Sequence, residues 1–273
     1  MARSLLAKEQ EAARERMAAG GKGGRKVLKI SGPSEALERI GRRFDMSGRQ
    51  IRKIMDVCEA AAADPDRFAP LVEEMDRTGK VNGPHTKLLR MRDEIRILDL
   101  APVDGRFRTL VLDPPWEEDN ISEAAGHDYA TMTLAEIAAV PVEAWAEDNA
   151  HLYLWATNNT LQVAFGLLEA YGFKHKTLLT WTKPNLGLGR YFRNTTEHVI
   201  FAVRGEMRTR AAARSMRTDH DWPVGENSAK PDGFYDLVRA CSFPPYGEAF
   251  QRQPRPDFVN LYQAPAAVRE AAE

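Results

Sequence analysis

The run Thr109-Leu110-Val111-Leu112, followed at once by Asp113-Pro114-Pro115-Trp116, constrains the fold more than any other stretch. Three consecutive aliphatic residues with no polar interruption read as a strand covered on both faces, as in the interior of a parallel sheet. Two adjacent prolines remove ladder donors and fix φ, so the strand ends there. A carboxylate is thereby held at the carboxyl end of a buried strand, where open α/β sheets place their ligands.

These residue types suit methylation of an exocyclic amine. The amino lone pair of adenine is delocalised into the ring and is a poor nucleophile. A carboxylate and a backbone carbonyl that both accept from the NH2 localise that pair on nitrogen and aim it at an electrophilic methyl group. Asp113 and the Pro114 carbonyl are the expected acceptors. Pro115 and Trp116 are the expected stacking wall, since a planar aromatic can pack on a base.

Further buried strands are read at His151–Ala156, Thr177–Thr182, His198–Val203 and Phe258–Tyr262, with helices at Leu134–Val140, Leu161–Tyr171 and Asp232–Ala240. The alternation predicts a Rossmann-like α/β sheet with helices on both faces. Lys183 ends the third of these strands, where it can pair with Asp113 or with a cofactor carboxylate. Pro184–Tyr191 is read as a substrate loop. It is no phosphate loop, because its lysine precedes the glycines.

Several motifs agree in order with one family. After Asp113-Pro114-Pro115-Trp116 come Tyr129-Ala130-Thr131-Met132, Leu152-Tyr153-Leu154-Trp155-Ala156-Thr157, Thr180-Trp181-Thr182-Lys183 and Arg193-Asn194-Thr195-Thr196-Glu197-His198. Residues 93 to 265 thus resemble the family of the seventy-kilodalton catalytic subunit of the mRNA N6-adenosine methyltransferase, and more closely its bacterial and phage relatives. The resemblance implies S-adenosylmethionine as cofactor. It implies roles at the target for Tyr129, Lys183, Arg193, Asn194 and Glu197. Around the cofactor it implies Glu94 and Ile95 near the adenine, and Glu248, Phe250 and Arg252 near the ribose and carboxylate. Gln263 stands where the family has an asparagine, and Tyr262 where it has a smaller glycine.

The first ninety residues lie outside that resemblance. Residues 1 to 92 carry 20 Lys and Arg against 13 Asp and Glu, net +7, and the remainder carries 18 against 26, net −8. Such asymmetry suggests a polyanion-binding arm on a less charged body. Residues 4 to 18 favour helix, and the Gly-rich, Lys-rich stretch 20 to 26 reads as a solvated linker or as a basic arm on phosphates. Residues 1–30 are therefore taken as a flexible basic arm, 31–92 as a helical module, 93–265 as the catalytic domain and 266–273 as a disordered tail. Within the module Ser34 and Ser47 are expected helix caps. Ile51, Ile54, Met55 and Cys58 recur at helical spacing after Ser47, while Arg49, Arg52 and Lys53 lie at the start of that helix. Two short helices with a tight turn and cations at the front of the second resemble a helix-turn-helix, which predicts DNA contact by those three residues. Glu206–Arg217, rich in arginine, is either a solvated face or a phosphate clamp.

Two distant cysteines and six scattered histidines give neither a disulfide framework nor a zinc site. No apolar run is long enough to span a membrane and the N-terminus is not signal-like, so a cytoplasmic protein without metal is expected. The expected activity is site-specific N6-adenine methylation of DNA, and a homodimer is one expected assembly. An RNA adenosine methyltransferase and a catalytically silent DNA-binding regulator remain the alternatives.

Overall fold

The computed structural model describes residues 33–98, 100–117, 129–187, 191–225 and 229–264. The expected N-terminal helix, the basic arm, most of the acidic segment after Trp116 and the C-terminal tail lie outside the described residues. The chain divides into two compact units: the first ends at Glu94 and takes in Tyr129, and the second comprises the rest.

The first unit is helical. It contains α1 (Pro33–Arg43), α2 (Gly48–Ala63), α3 (Pro65–Thr78) and most of α4 (Asn82–Leu98). Ser47 caps α2 as expected, in a full capping box with Gln50. Ser34 is no cap, because α1 begins one residue earlier, at Pro33. Proline suits a first helical position, having no N–H to leave unpaired. Leu37, Ile40 and Ile51 form a small core with Met46 and Met55 packed against it. Asp64 caps α3, and Gly79 ends it in the left-handed conformation that glycine adopts without strain. His85 meets Asp56 at 3.1 Å, tying α4 to α2. The last helix runs on to Leu98, past the module boundary expected at residue 92. No Gly or Pro interrupts Asp93–Leu98, so nothing breaks the i→i−4 ladder there.

The second unit is built on a seven-stranded sheet of order β6-β4-β5-β3-β2-β7-β8. Its strands are β2 (Phe107–Leu112), β3 (Ala146–Thr157), β4 (Lys174–Thr182), β5 (Thr196–Arg204), β6 (Asp219–His220), β7 (Tyr246–Ala249) and β8 (Phe258–Asn260). Only β5 runs antiparallel to its neighbours. A separate two-stranded pair joins β1 (Ala101–Pro102) to β9 (Tyr262–Gln263). The expected final strand is thus split in two between Asn260 and Tyr262.

Burial follows the strand period of two. Leu110, Leu112, Leu152 and Leu154 enter one core with residues of α5 (Leu134–Ala138), α6 (Val142–Trp145) and α7 (Leu161–Ala170). Val111, Tyr153, Trp155, Val199 and Phe201 face the other way, into a core closed by Phe234, Tyr235 and Val238 of α8 (Asp232–Cys241). The unbroken aliphatic run of β2 is therefore covered on both faces, as its sequence requires. The chain leaves β2 toward β3 on one side and returns to β7 on the other. The carboxyl ends of β2 and β7 thus flank a topological switch point.

Candidate active site

Asp113 follows the last residue of β2 at that switch point. Its parity matches Val111, so its side chain falls on the α8 face. Glu197 shares parity with Val199 on β5 and falls on the same face. Lys230, just before α8, lies between them: its Nζ is 2.9 Å from Asp113 and 3.0 Å from Glu197. The three side chains are only 12%, 13% and 20% exposed for Lys230, Asp113 and Glu197. The ammonium also lies 4.7 Å above the Trp155 ring of the intervening strand β3. Lys183 completes the cluster by pairing with Glu197 and stacking over Trp181 at 4.6 Å.

The electrostatics follow from burial against pairing. Burial pushes the Asp113 carboxyl above the ordinary range, and the pull of Lys230 only partly opposes it. Burial acts the same way on Glu197, but there Lys230 and Lys183 win and hold it at about 2. Burial alone would lower Lys230, yet the two acids hold it above the ordinary lysine range. The cluster is a charged network in which Asp113 is the carboxylate least held by cations.

The cation facing Asp113 is therefore Lys230; Lys183, with Asp113 as one of its two expected partners, pairs with Glu197. Sequence gave little signal for it. Lys230 stands alone before Pro231-Asp232, and only that helix-entry dipeptide marks the position as ordered.

The turn after Asp113 is firmly held. The Pro114 carbonyl accepts from Trp116 N–H at 2.9 Å, and the Pro115 carbonyl accepts from Met132 N–H at 2.8 Å. A carbonyl has two lone pairs, so Pro114 retains one for a ligand. Trp116 corrects the expectation of a stacking wall. It is 7% exposed, lies in the core and donates its indole N–H to the Trp155 carbonyl at 3.1 Å. An indole with both its N–H and its faces committed to packing anchors the turn instead of presenting a platform. Pro115 stays half-buried beside it.

On the neighbouring strands, Glu248 of β7 is 2% exposed and accepts from Tyr235 O–H and Gln251 N–H. Burial raises its pKa. Phe250 takes a left-handed backbone, φ 65°, directly after β7. Gln263 donates to the Asn260 carbonyl at 2.7 Å. The Tyr262 ring packs edge-on to Trp145 at 5.5 Å and against Phe250 at 5.4 Å. Arg252 is exposed.

Arg193 turns back on its own loop, donating to the carbonyls of Gly187 and Leu186. Asn194 accepts from Asn158 at 3.5 Å and, through its backbone carbonyl, from Gly187 N–H. Tyr129 is half-buried and groups with the helical unit, as does the exposed Glu94, while Ile95 opens the second unit. In the helical unit Arg49 and Arg52 are exposed, and Lys53 donates to Asn82 at 2.8 Å.

The arginine-rich segment begins away from Asp113 and returns at its end to the carboxyl end of β4, where β6 pairs with Thr180 and Trp181. It leaves the carboxyl end of β5, which runs antiparallel to β2 through β3, and so starts at the opposite edge. Arg210 stacks on Phe243 there at 4.9 Å, and Arg217 is spent on Asp219 at 2.6 Å. Among the described residues no His, Cys, Asp or Glu group could hold a metal ion, and no helix is long and apolar enough to cross a membrane.

A doubly covered sheet with an acid and two prolines at its switch point defines the class: an S-adenosylmethionine-dependent methyltransferase fold. The chain belongs to the MT-A70 family, whose model matches residues 107–262. It is 26% identical over 154 residues to the type II methyltransferase M.MunI of a Mycoplasma species, covering 49% of this chain and 66% of that one. It is 27% identical over 147 residues to a probable MT-A70-like N(6)-adenosine-methyltransferase of rice, Oryza sativa, covering 50% of this chain and 20% of that one. A non-catalytic subunit, METTL14 of Xenopus tropicalis, is 23% identical over 154 residues, 51% of this chain and 34% of that one. The matches thus span less than two thirds of each relative's length.

Proposed function

We propose that this chain transfers a methyl group from S-adenosylmethionine to N6 of adenine in DNA. The observation that carries the reading is Asp113: a buried acid at the switch point, followed by two prolines, in a chain of the N6-adenine methyltransferase family. Its carboxylate and the free lone pair of the Pro114 carbonyl accept the two amino hydrogens. The nitrogen lone pair is then drawn out of conjugation. Both acceptors are rigid, Asp113 through Lys230 and Pro114 through its ring, so little reorganisation accompanies the reaction. As the N–CH3 bond forms the donor's S–CH3 bond breaks, leaving a neutral thioether and a cationic N6 with both hydrogens. That cation is acidic and gives one proton to Asp113 or water, so no general base of unusual strength is required.

The residues around the switch point fit the cofactor chemically. Its ribose diol and amino-acid group need carboxylate, cation and amide partners. Glu248, Arg252 and Gln263 supply one of each, and the backbone turn at Phe250 lies beside them. When bound, S-adenosylmethionine supplies a methyl group on a sulfonium sulfur. Glu197 and Lys183 act at one remove, by positioning Lys230. Arg193 and Asn194 act by fixing the loop at the same edge.

DNA is favoured because Arg49 and Arg52 are exposed at the start of a capped helix, after a short turn, in a unit outside the residues the family model matches. The M.MunI relative points the same way. RNA is the second reading, because the rice N(6)-adenosine-methyltransferase is as similar as M.MunI. The intact Asp113-Pro114-Pro115 turn favours an enzyme over a silent partner. The protein is read as cytoplasmic and metal-free, with a homodimer as its expected assembly. Incubation with methyl-labelled S-adenosylmethionine and matched DNA or RNA, followed by nucleoside mass spectrometry, tests the reading. Label in N6-methyldeoxyadenosine is expected; label only in ribonucleoside, or none, overturns it.

A further inference from the structure

Two large aromatic side chains stand in solvent at the catalytic edge. Tyr191 is 95% exposed and Phe192 is 87% exposed. They belong to the loop between β4 and β5. Because β4 is parallel to β2 by way of β5 and β3, the loop leaves the sheet at the same edge as Asp113.

The base of this loop is stapled. Lys183 N–H donates to the Thr195 carbonyl at 2.6 Å and Gly187 N–H to the Asn194 carbonyl at 2.7 Å. Arg193 adds its bond to the Gly187 carbonyl at 2.6 Å. Asn158, beyond β3, ties Asn194 and Thr196 to the sheet. The approach is so close that a Cβ on Gly187 would lie 2.5 Å from the Asn194 oxygen. A braced base that holds two adjacent rings in water is unfavourable for the free protein, since apolar area of this size is normally buried. Their place at the same sheet edge as the acid that must receive an extruded base points to what covers them.

We propose that Tyr191 and Phe192 form a wedge that enters duplex DNA beside the target adenine and stacks on the bases its extrusion leaves unpaired. The wedge rests on the DNA reading above. A paired adenine has its amino group tied up in the duplex, and extrusion costs stacking and pairing energy. Aromatic side chains repay that cost without reading sequence, because every base has a π-face. The rings do no chemistry; they are positioning residues for a paired target.

The test compares wild type with the Tyr191→Ala/Phe192→Ala double variant. Methyl transfer is measured on one sequence as a matched duplex, as a duplex mismatched at the target, and as a single strand. Both residues are exposed, so their truncation removes little packing, and single-strand activity reports folding directly. The double variant is expected to lose roughly ten- to a hundredfold in kcat/KM on the matched duplex. On the mismatched and single-stranded forms the loss should fall below about threefold, because extrusion there is cheap. Tyr191→Trp should restore most of the duplex activity, since it keeps a stacking face. Equal losses on all three substrates would make the rings a general contact and overturn the wedge. Unchanged duplex activity would overturn it too. If wild type methylates RNA but no DNA, the DNA reading itself falls and the wedge with it.

Discussion

Two single substitutions in the buried charge cluster should move the acid limb of activity in opposite directions. Methyl transfer needs Asp113 ionised, so kcat/KM falls as pH drops through its raised pKa. Glu197 repels the ionised form of Asp113, whereas Lys230 favours it. Glu197→Gln removes the repulsion while keeping the shape, and the acid limb should shift to lower pH. Lys230→Met removes the attraction, and the limb should shift to higher pH with a large fall in maximal rate. The stability cost of Glu197→Gln follows from its own titration. The fall from an ordinary 4.5 to about 2 corresponds to about 3 kcal/mol in favour of the ionised acid in the folded chain. A depressed folded pKa gives stability that is fully present above pH 4.5 and lost as pH falls toward about 2. Asp113, being raised, works in the opposite sense, so the Glu197 contribution is read as the difference between wild type and variant. That difference should be largest at neutral pH and shrink below pH 4.5. Urea unfolding at several pH values gives the stability, and initial rates from pH 5 to 9 give the limb. Limbs that move together, or not at all, would refute the assignment of Asp113 as the titrating acceptor and of Lys230 as its counter-charge.

Asp113→Asn keeps the volume but replaces a charged acceptor with a neutral one. It should lower kcat/KM by about two to three orders of magnitude, with circular dichroism unchanged. Trp116→Phe keeps the ring packing and deletes the bond to the Trp155 carbonyl. It should cost about 1 kcal/mol of stability, read by denaturant unfolding, and leave methyl transfer near wild type. A stacking platform at Trp116 would instead show a loss of rate with little loss of stability. Arg49→Ala and Arg52→Ala should each weaken DNA binding across sequences and reduce the slope of log affinity against log salt by about 1, measured by fluorescence anisotropy.

The strands and helices that carry the site were legible in the sequence because their signals are local. The aliphatic run of β2 and the prolines after it fixed where Asp113 stands. The capping box at Ser47 fixed where α2 begins, and the Asp232 helix emerged with its expected start. These features depend on neighbours along the chain, whose distances are set by backbone geometry alone. Boundaries that depend on the absence of a breaker, such as the end of α4, were less visible.

Tertiary structure alone decided which charges meet. Lys183 ends a strand-like run, whereas Lys230 stands between a largely polar stretch and Pro231-Asp232, so the sequence points to the wrong lysine as the partner of Asp113. Only the crossing of β5 between β3 and β4, and the return of the chain into α8, bring Lys230 to Asp113 and leave Lys183 on Glu197. Trp116 likewise reads as a platform until β3 supplies the carbonyl that draws its indole inward. The Glu206–Arg217 arginines read equally as a solvated face or a clamp until the antiparallel course of β5 starts them at the far edge and the pairing of β6 with β4 brings the chain back. Sequence fixes local conformation through sterics and hydrogen bonds a few residues apart. The meeting of buried charges is set by sheet order and strand direction, which no single stretch encodes.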